Sequence, residues 1–187
     1  MKKILLSLMI LTSSIFVLAQ ENQDAMKAWM EYMTPGDMHK MMAESEGEWT
    51  TKISFWQAPG TEAMVSEGTV VNEMMFGGRY LKATHKFASM GMPMEGVSLQ
   101  AYDNGKKEFI NIWFDNMGTG FMIATGKYDD ATKSIQFSGK TYDPLTKSDM
   151  EIRENYKIID ADNHLMEMFM VMGGQEFKQM EIEFKRK

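Results

Sequence analysis

Trp49-Thr50-Thr51-Lys52-Ile53-Ser54-Phe55-Trp56 is the stretch on which the reading of the fold turns. Trp49, Thr51, Ile53 and Phe55 occupy alternate positions, with Thr50, Lys52, Ser54 and Trp56 between them. Successive side chains of a strand point to opposite faces, so this period of two predicts a half-buried β-strand. Ala58-Pro59-Gly60 ends it, because Pro lacks a ladder donor and Gly supplies turn geometry.

The same pattern continues toward the C terminus. A second strand is expected over residues 64–76, followed by Gly77-Gly78 as a hairpin turn whose glycines supply positive φ. The third strand aligns Arg79, Leu81, Ala83, His85 and Phe87 on one face against Tyr80, Lys82, Thr84 and Lys86. Met90-Gly91-Met92-Pro93-Met94 forms the next connection. Further strands are predicted over 96–102, 108–114, 121–128, 134–141, 150–159, 164–172 and 177–185, broken by Asp, Asn and Gly turns. About ten short strands joined by turns make an antiparallel meander, and closure removes its two edges. The predicted fold is therefore an all-β, up-and-down antiparallel β-barrel of about ten strands, with N-terminal helices. A Greek-key sandwich is the alternative with the same strand count. A parallel α/β fold is excluded because no helical segment lies between strands to make a crossover.

Toward the N terminus the period lengthens to that of a helix. Residues 24–33 place Met26, Trp29, Met30 and Met33 at i, i+3, i+4 and i+7, one apolar face. A second helix is expected to start with Thr34 as N-cap and Pro35 at its first position, to turn Met38, Met41 and Met42 inward, and to end at Gly47. Such a helix is placed to close one end of a barrel.

Residues 1–19 read as a signal peptide: Lys2-Lys3, an apolar stretch, and Val17-Leu18-Ala19 at the cleavage positions. No later apolar run is long enough to span a bilayer. The expected product is exported, periplasmic or secreted, with residues 20–46 as a helical segment and 47–187 as the barrel domain. Removing Lys2 and Lys3 takes the net charge from -6 to -8, which repels phosphate backbones and anionic lipid and argues against nucleic acid and membrane-surface partners. There are no cysteines, so neither a disulfide framework nor a lipidated Cys is expected.

Several pieces carry a resemblance: Gly47-Glu48-Trp49, Trp56 with Pro59-Gly60, Gly77-Gly78-Arg79-Tyr80-Leu81, Gly91-Met92-Pro93 with Gly96, Ala101-Tyr102-Asp103, Trp113-Phe114-Asp115, Gly126 with Tyr128-Asp129, and Met180-Glu181-Ile182. Together they resemble the bacterial family catalogued as domain of unknown function 1579, over roughly residues 35–186. The resemblance implies a lipocalin-like, calycin-type barrel and carries over no catalytic residues. One departure is Ala101, where the family's usual pattern is Gly-Tyr-Asp.

Nothing in the sequence assembles a catalytic set. There is no Gly-x-Ser-x-Gly elbow, no paired-His metal spacing and no phosphate-cradling Gly-rich loop. His39, His85 and His164 stand alone. The candidate site is instead the barrel interior, and no cofactor is expected there. Arg79 and His85 are expected to meet a polar head group, with an internal Arg79–Glu154 ion pair as the structural alternative. Phe87, Tyr102, Trp113, Met168 and Met170 are expected to pack against an apolar ligand body. Met166, Met168, Met170 and Met172 alternate along one strand. A three-residue loop, Gly173-Gly174-Gln175, would set this row beside Met180, Ile182 and Phe184; a two-residue loop would turn it outward.

The chain has 22 Met. Three uses are open: an adaptable core, a thioether-lined pocket, or a Cu(I) site with Met90, Met92 and Met94 as soft ligands. The function expected first is therefore binding of a small, largely apolar ligand. A copper-binding protein and a filled barrel that acts by interaction are the alternatives.

Overall fold

The computed structural model describes residues 20, 22–89, 91–172 and 175–187, with the backbone only at Met172. The signal segment expected at 1–19, Met90, the Gly173-Gly174 turn and the Met172 side chain lie outside the described residues. The chain divides into two compact units, Met1–Thr34 and Pro35–Lys187. In the first, a helix α1 spans 22–33, and Met26, Trp29, Met30 and Met33 are all exposed.

The second unit begins with α2 (Asp37–Ala43), and ten strands follow: β1 (Gly47–Phe55), β2 (Met64–Met75), β3 (Tyr80–Ser89), β4 (Met92–Asp103), β5 (Glu108–Asp115), β6 (Met122–Asp129), β7 (Ser134–Asp143), β8 (Ser148–Ile158), β9 (Asn163–Met172) and β10 (Gln175–Arg186). Each strand pairs antiparallel with its sequence neighbours, and β10 pairs with β1, so the sheet is a closed up-and-down barrel. The Greek-key alternative is thereby removed.

Trp49, Thr51 and Ile53 are buried along β1, and Leu81, Ala83 and His85 along β3, as the alternation requires. The start of α2 differs from expectation. Gly36, not Thr34, is the N-cap, and Pro35 precedes the helix. The Thr34 hydroxyl donates instead to Met30 O (2.6 Å), closing the last turn of α1. The Gly36 N–H donates to His39 Nδ1 (3.0 Å), so the cap is made by the N3 side chain.

α2 closes one end of the barrel. Met42 is buried in a cluster with Leu81, Phe109, Ala124 and Ile135, and Met38 and Met41 pack against that cluster. The seam between β1 and β10 is locked at the same end. The Arg186 guanidinium lies 4.3 Å over the Trp49 ring and donates to the carbonyls of Glu44 and Glu46 (2.6 Å each) and of Ala161. It therefore satisfies carbonyls that follow α2 while stacking on a buried indole. Beneath it the Tyr156 hydroxyl and His164 Nδ1 are 2.7 Å apart, and the Trp49 indole N–H donates to Ser45 O.

Three strand connections share one device. Asp103, Asp129 and Asp143 end their strands and accept backbone N–H groups two residues on, and Lys107, Lys133 and Lys147 take positive φ before the next strand. Asp side chains stabilise such turns by standing in for a backbone acceptor.

Candidate functional site: the barrel interior

Inside the barrel is a cavity of about 800 Å³, within the 300–1,000 Å³ typical of small-ligand sites. Residues near the strand ends opposite α2 form part of its wall: Phe55 and Met64 around the β1–β2 connection, Ser89 and Gly91 at β3–β4, and Tyr142 and Pro144 at β7–β8. The other end is filled by Met42, Phe109 and Ile135. The cavity is thus a cup with its mouth away from α2.

Six of the eight residues expected at the site line this cavity: His85, Phe87, Trp113, Glu154, Met168 and Met170. Tyr102 does not. It lies at the α2 end, with its ring 4.9 Å from Phe109 and 5.8 Å from His39. Arg79 is the second departure, and it corrects the expected inward face of the third strand. Met75 pairs with Tyr80, so residues 76–79 form a four-residue connection rather than a Gly77-Gly78 hairpin. Phe76, Gly77 and Gly78 all take positive φ. Arg79 sits in that turn and donates to Phe76 O (2.9 Å). The Arg79–Glu154 ion pair is not formed.

Glu154 lies on β8 between Phe137 of β7 and Met168 of β9, and is 7% exposed. Its hydrogen bond comes from Asn111 Nδ2 at 3.3 Å. Burial raises its carboxyl to about 7, outweighing the opposite effect of that hydrogen bond. His85 lies between Val70 of β2 and Gly96 of β4, and its Nε2 is buried without a partner. Burial lowers it to about 4, so the imidazole is neutral near pH 7. The ring meets Trp113 edge to face, with centroids 5.0 Å apart. The Trp113 indole N–H donates to Asp115 Oδ2 (2.6 Å), while Asp115 Oδ1 accepts from the Met117 N–H.

The methionine row reaches the interior by a route the loop did not foretell. Gln175 pairs with Met172, so the β9–β10 loop has two residues, not three. A register shift between Lys178 and Met180 inserts Gln179 as a bulge, after which Met168 faces Met180 and Met166 faces Ile182. The bulge reverses the facing the short loop would impose. Met166, Met168 and Met170 therefore line the cavity.

Sequence reasoning missed Asn111, Gln100 and Ser98, which also line it. On β5 the inward set is Phe109, Asn111, Trp113 and Asp115, while Ile110, Ile112 and Phe114 face outward. Both faces are apolar enough that hydropathy does not choose between them. The register with β4 does, because Gln100 opposes Asn111 and Ser98 opposes Trp113. Of the methionines expected for copper, Met92 is exposed and Met94 lines the cavity. Among the described residues, no group of three or more His, Asp or Glu is arranged to hold a metal ion. No helix among them is long and apolar enough to cross a membrane.

Residues 34–186 match the family described as "Protein of unknown function (DUF1579)". The chain belongs to this family. Among solved structures it is similar to the one titled "Crystal Structure of Rv2717c from M. tuberculosis", with a TM-score of 0.62 and 14% identity, covering 82% of this chain and 99% of that one. At that identity the likeness concerns the fold alone. No curated protein matches the chain. For this DUF1579 member, the geometry of the interior is therefore the guide to function.

Proposed function

We propose that this protein is an exported container for a small, largely apolar ligand held in the barrel interior. The observation that carries the reading is the cavity of about 800 Å³, walled by Ile, Phe, Trp and Met with a few convergent polar groups. An apolar wall with a small number of oriented polar side chains is the usual composition of a ligand site. His85 and Asn111 lie where they can contact a polar atom of the ligand, and Phe87, Trp113, Met168 and Met170 pack its body. Methionine rows suit such a wall because thioethers adapt to irregular ligand shapes.

Native mass spectrometry of protein purified without detergent tests this reading. A ligand-sized adduct, or stoichiometric uptake of an added apolar compound, is expected. A barrel that carries nothing and takes up nothing overturns it. Export is tested separately by N-terminal sequencing of protein from the periplasm or medium, where the mature chain is expected to begin at Gln20.

A further inference from the structure

We infer that the ligand is a hydrophobic amine: an apolar body bearing a positively charged nitrogen that meets the Glu154 carboxylate. This rests on the container reading above and adds the charge of what is contained.

Among the described residues the cavity wall includes Asp115, Asp143 and Glu154, and no Lys or Arg. Elsewhere the protein's cations find carboxylates on the surface, as in Arg153–Glu176 (2.7 Å) and Lys178–Glu181 (2.6 Å). Glu154 has no such partner among the described residues. Its neighbours across the ladder are Phe137 and Met168, and its hydrogen bond is from a neutral amide. A buried carboxylate without a cation is costly, and the protein meets that cost by holding the proton more tightly. A cationic ligand supplies the missing charge and restores ionisation.

The other groups agree. Asp143, near the mouth, is held below the usual carboxylate range by the Thr146 hydroxyl and the Leu145 N–H, so it carries a negative charge there. His85 adds no positive charge, and its Nε2 is buried in the cavity wall without a hydrogen-bond partner. The Trp113 face attracts cations, and thioethers tolerate them. A fatty acid carries the same sign of charge as Asp115, Asp143 and Glu154, and among the described residues the wall offers no cationic side chain for its head group, Arg79 included.

The test compares dodecylamine, dodecanol and dodecanoate, each below its micellar concentration, by calorimetric titration of the purified protein at pH 7.5. The expected order is amine over alcohol by at least about tenfold, with dodecanoate weakest. Glu154→Gln is expected to reduce amine affinity about tenfold and to change the alcohol by less than about twofold. Equal binding of amine and alcohol, tightest binding of dodecanoate, or an equal loss of both ligands in the variant overturns the charge assignment and leaves the container standing. Failure of all three to bind overturns both. The ranking on the unmutated protein decides the matter even if the variant does not fold.

Discussion

Gly96 is the residue that lets Trp113 lie on the inner wall. A Cβ built at position 96 would fall far inside van der Waals contact with the outer edge of the Trp113 six-membered ring, and would lie 3.3 Å from Cβ of Asp115, its cross-strand partner. The absence of a side chain on β4 and the presence of the largest one on β5 are a single packing decision. It positions the ring against His85 and its N–H against Asp115.

Gly96→Ala is therefore expected to displace Trp113 rather than be absorbed. Overpacking of this kind costs about 1–3 kcal/mol, measurable by urea unfolding. Adding Trp113→Phe should not restore full stability, since the bond to Asp115 is lost as well. A Gly96→Ala protein as stable as the parent, with unchanged tryptophan fluorescence, would contradict the relationship.

Glu154→Gln is expected to stabilise the ligand-free protein at pH 8. The folded-state value is raised from 4.5 to about 7, so the folded state holds a proton that the unfolded state has released. Stability attributable to this group falls as pH rises from 4.5 to 7 and stays low above that. The difference amounts to about 3 kcal/mol in favour of the variant, and it should vanish below pH 4.5. Thermal unfolding of both proteins from pH 4 to pH 8 reads it directly.

The histidines act in the opposite sense. His85 and His164 are lowered from 6.5 to about 4 by burial, so their contribution is fully present above pH 6.5 and is lost as pH falls to 4. Each gives an acid-side loss of about 3 kcal/mol. His85→Leu is expected to flatten the acid limb by about half of their combined slope. An unchanged acid limb would show that His85 is not held neutral.

Arg186→Ala is expected to open the β1–β10 seam. The guanidinium stacks on Trp49 and donates to three carbonyls. Losing these hydrogen bonds and the stacking should cost about 2–4 kcal/mol. Arg186→Lys should recover less than half, because an ammonium lacks the planar fork. Chemical denaturation of the three proteins provides the comparison.

The order and number of strands were legible because each has its own period-two run and each turn its own Asp or Gly. The interior of β3 was legible for the same reason: Leu81, Ala83, His85 and Phe87 contrast with Lys82 and Lys86. Arg79 was misplaced because alternation does not locate a strand's first residue, and the longer connection moved it into the turn. Asn111 escaped notice because it alternates with Ile110 and Ile112, which made the wet side of the strand look dry. The charged alternation of Glu181, Glu183 and Lys185 reports the facing of β10. Met166, Met168 and Met170 lie inside although their loop was misjudged, because the bulge restores the register that a three-residue loop would have set. The Gln179 bulge has no signature in hydropathy and emerges only from the paired strands.

The most direct test of the central claim, a hollow interior reached from the end opposite α2, is titration with N-phenyl-1-naphthylamine, an uncharged apolar fluorophore at neutral pH. The account predicts saturable one-to-one binding with a Kd of order micromolar, weakened when Met168→Trp narrows the cup in a protein that still unfolds cooperatively. Absence of saturable binding, or binding indifferent to Met168→Trp, would contradict it.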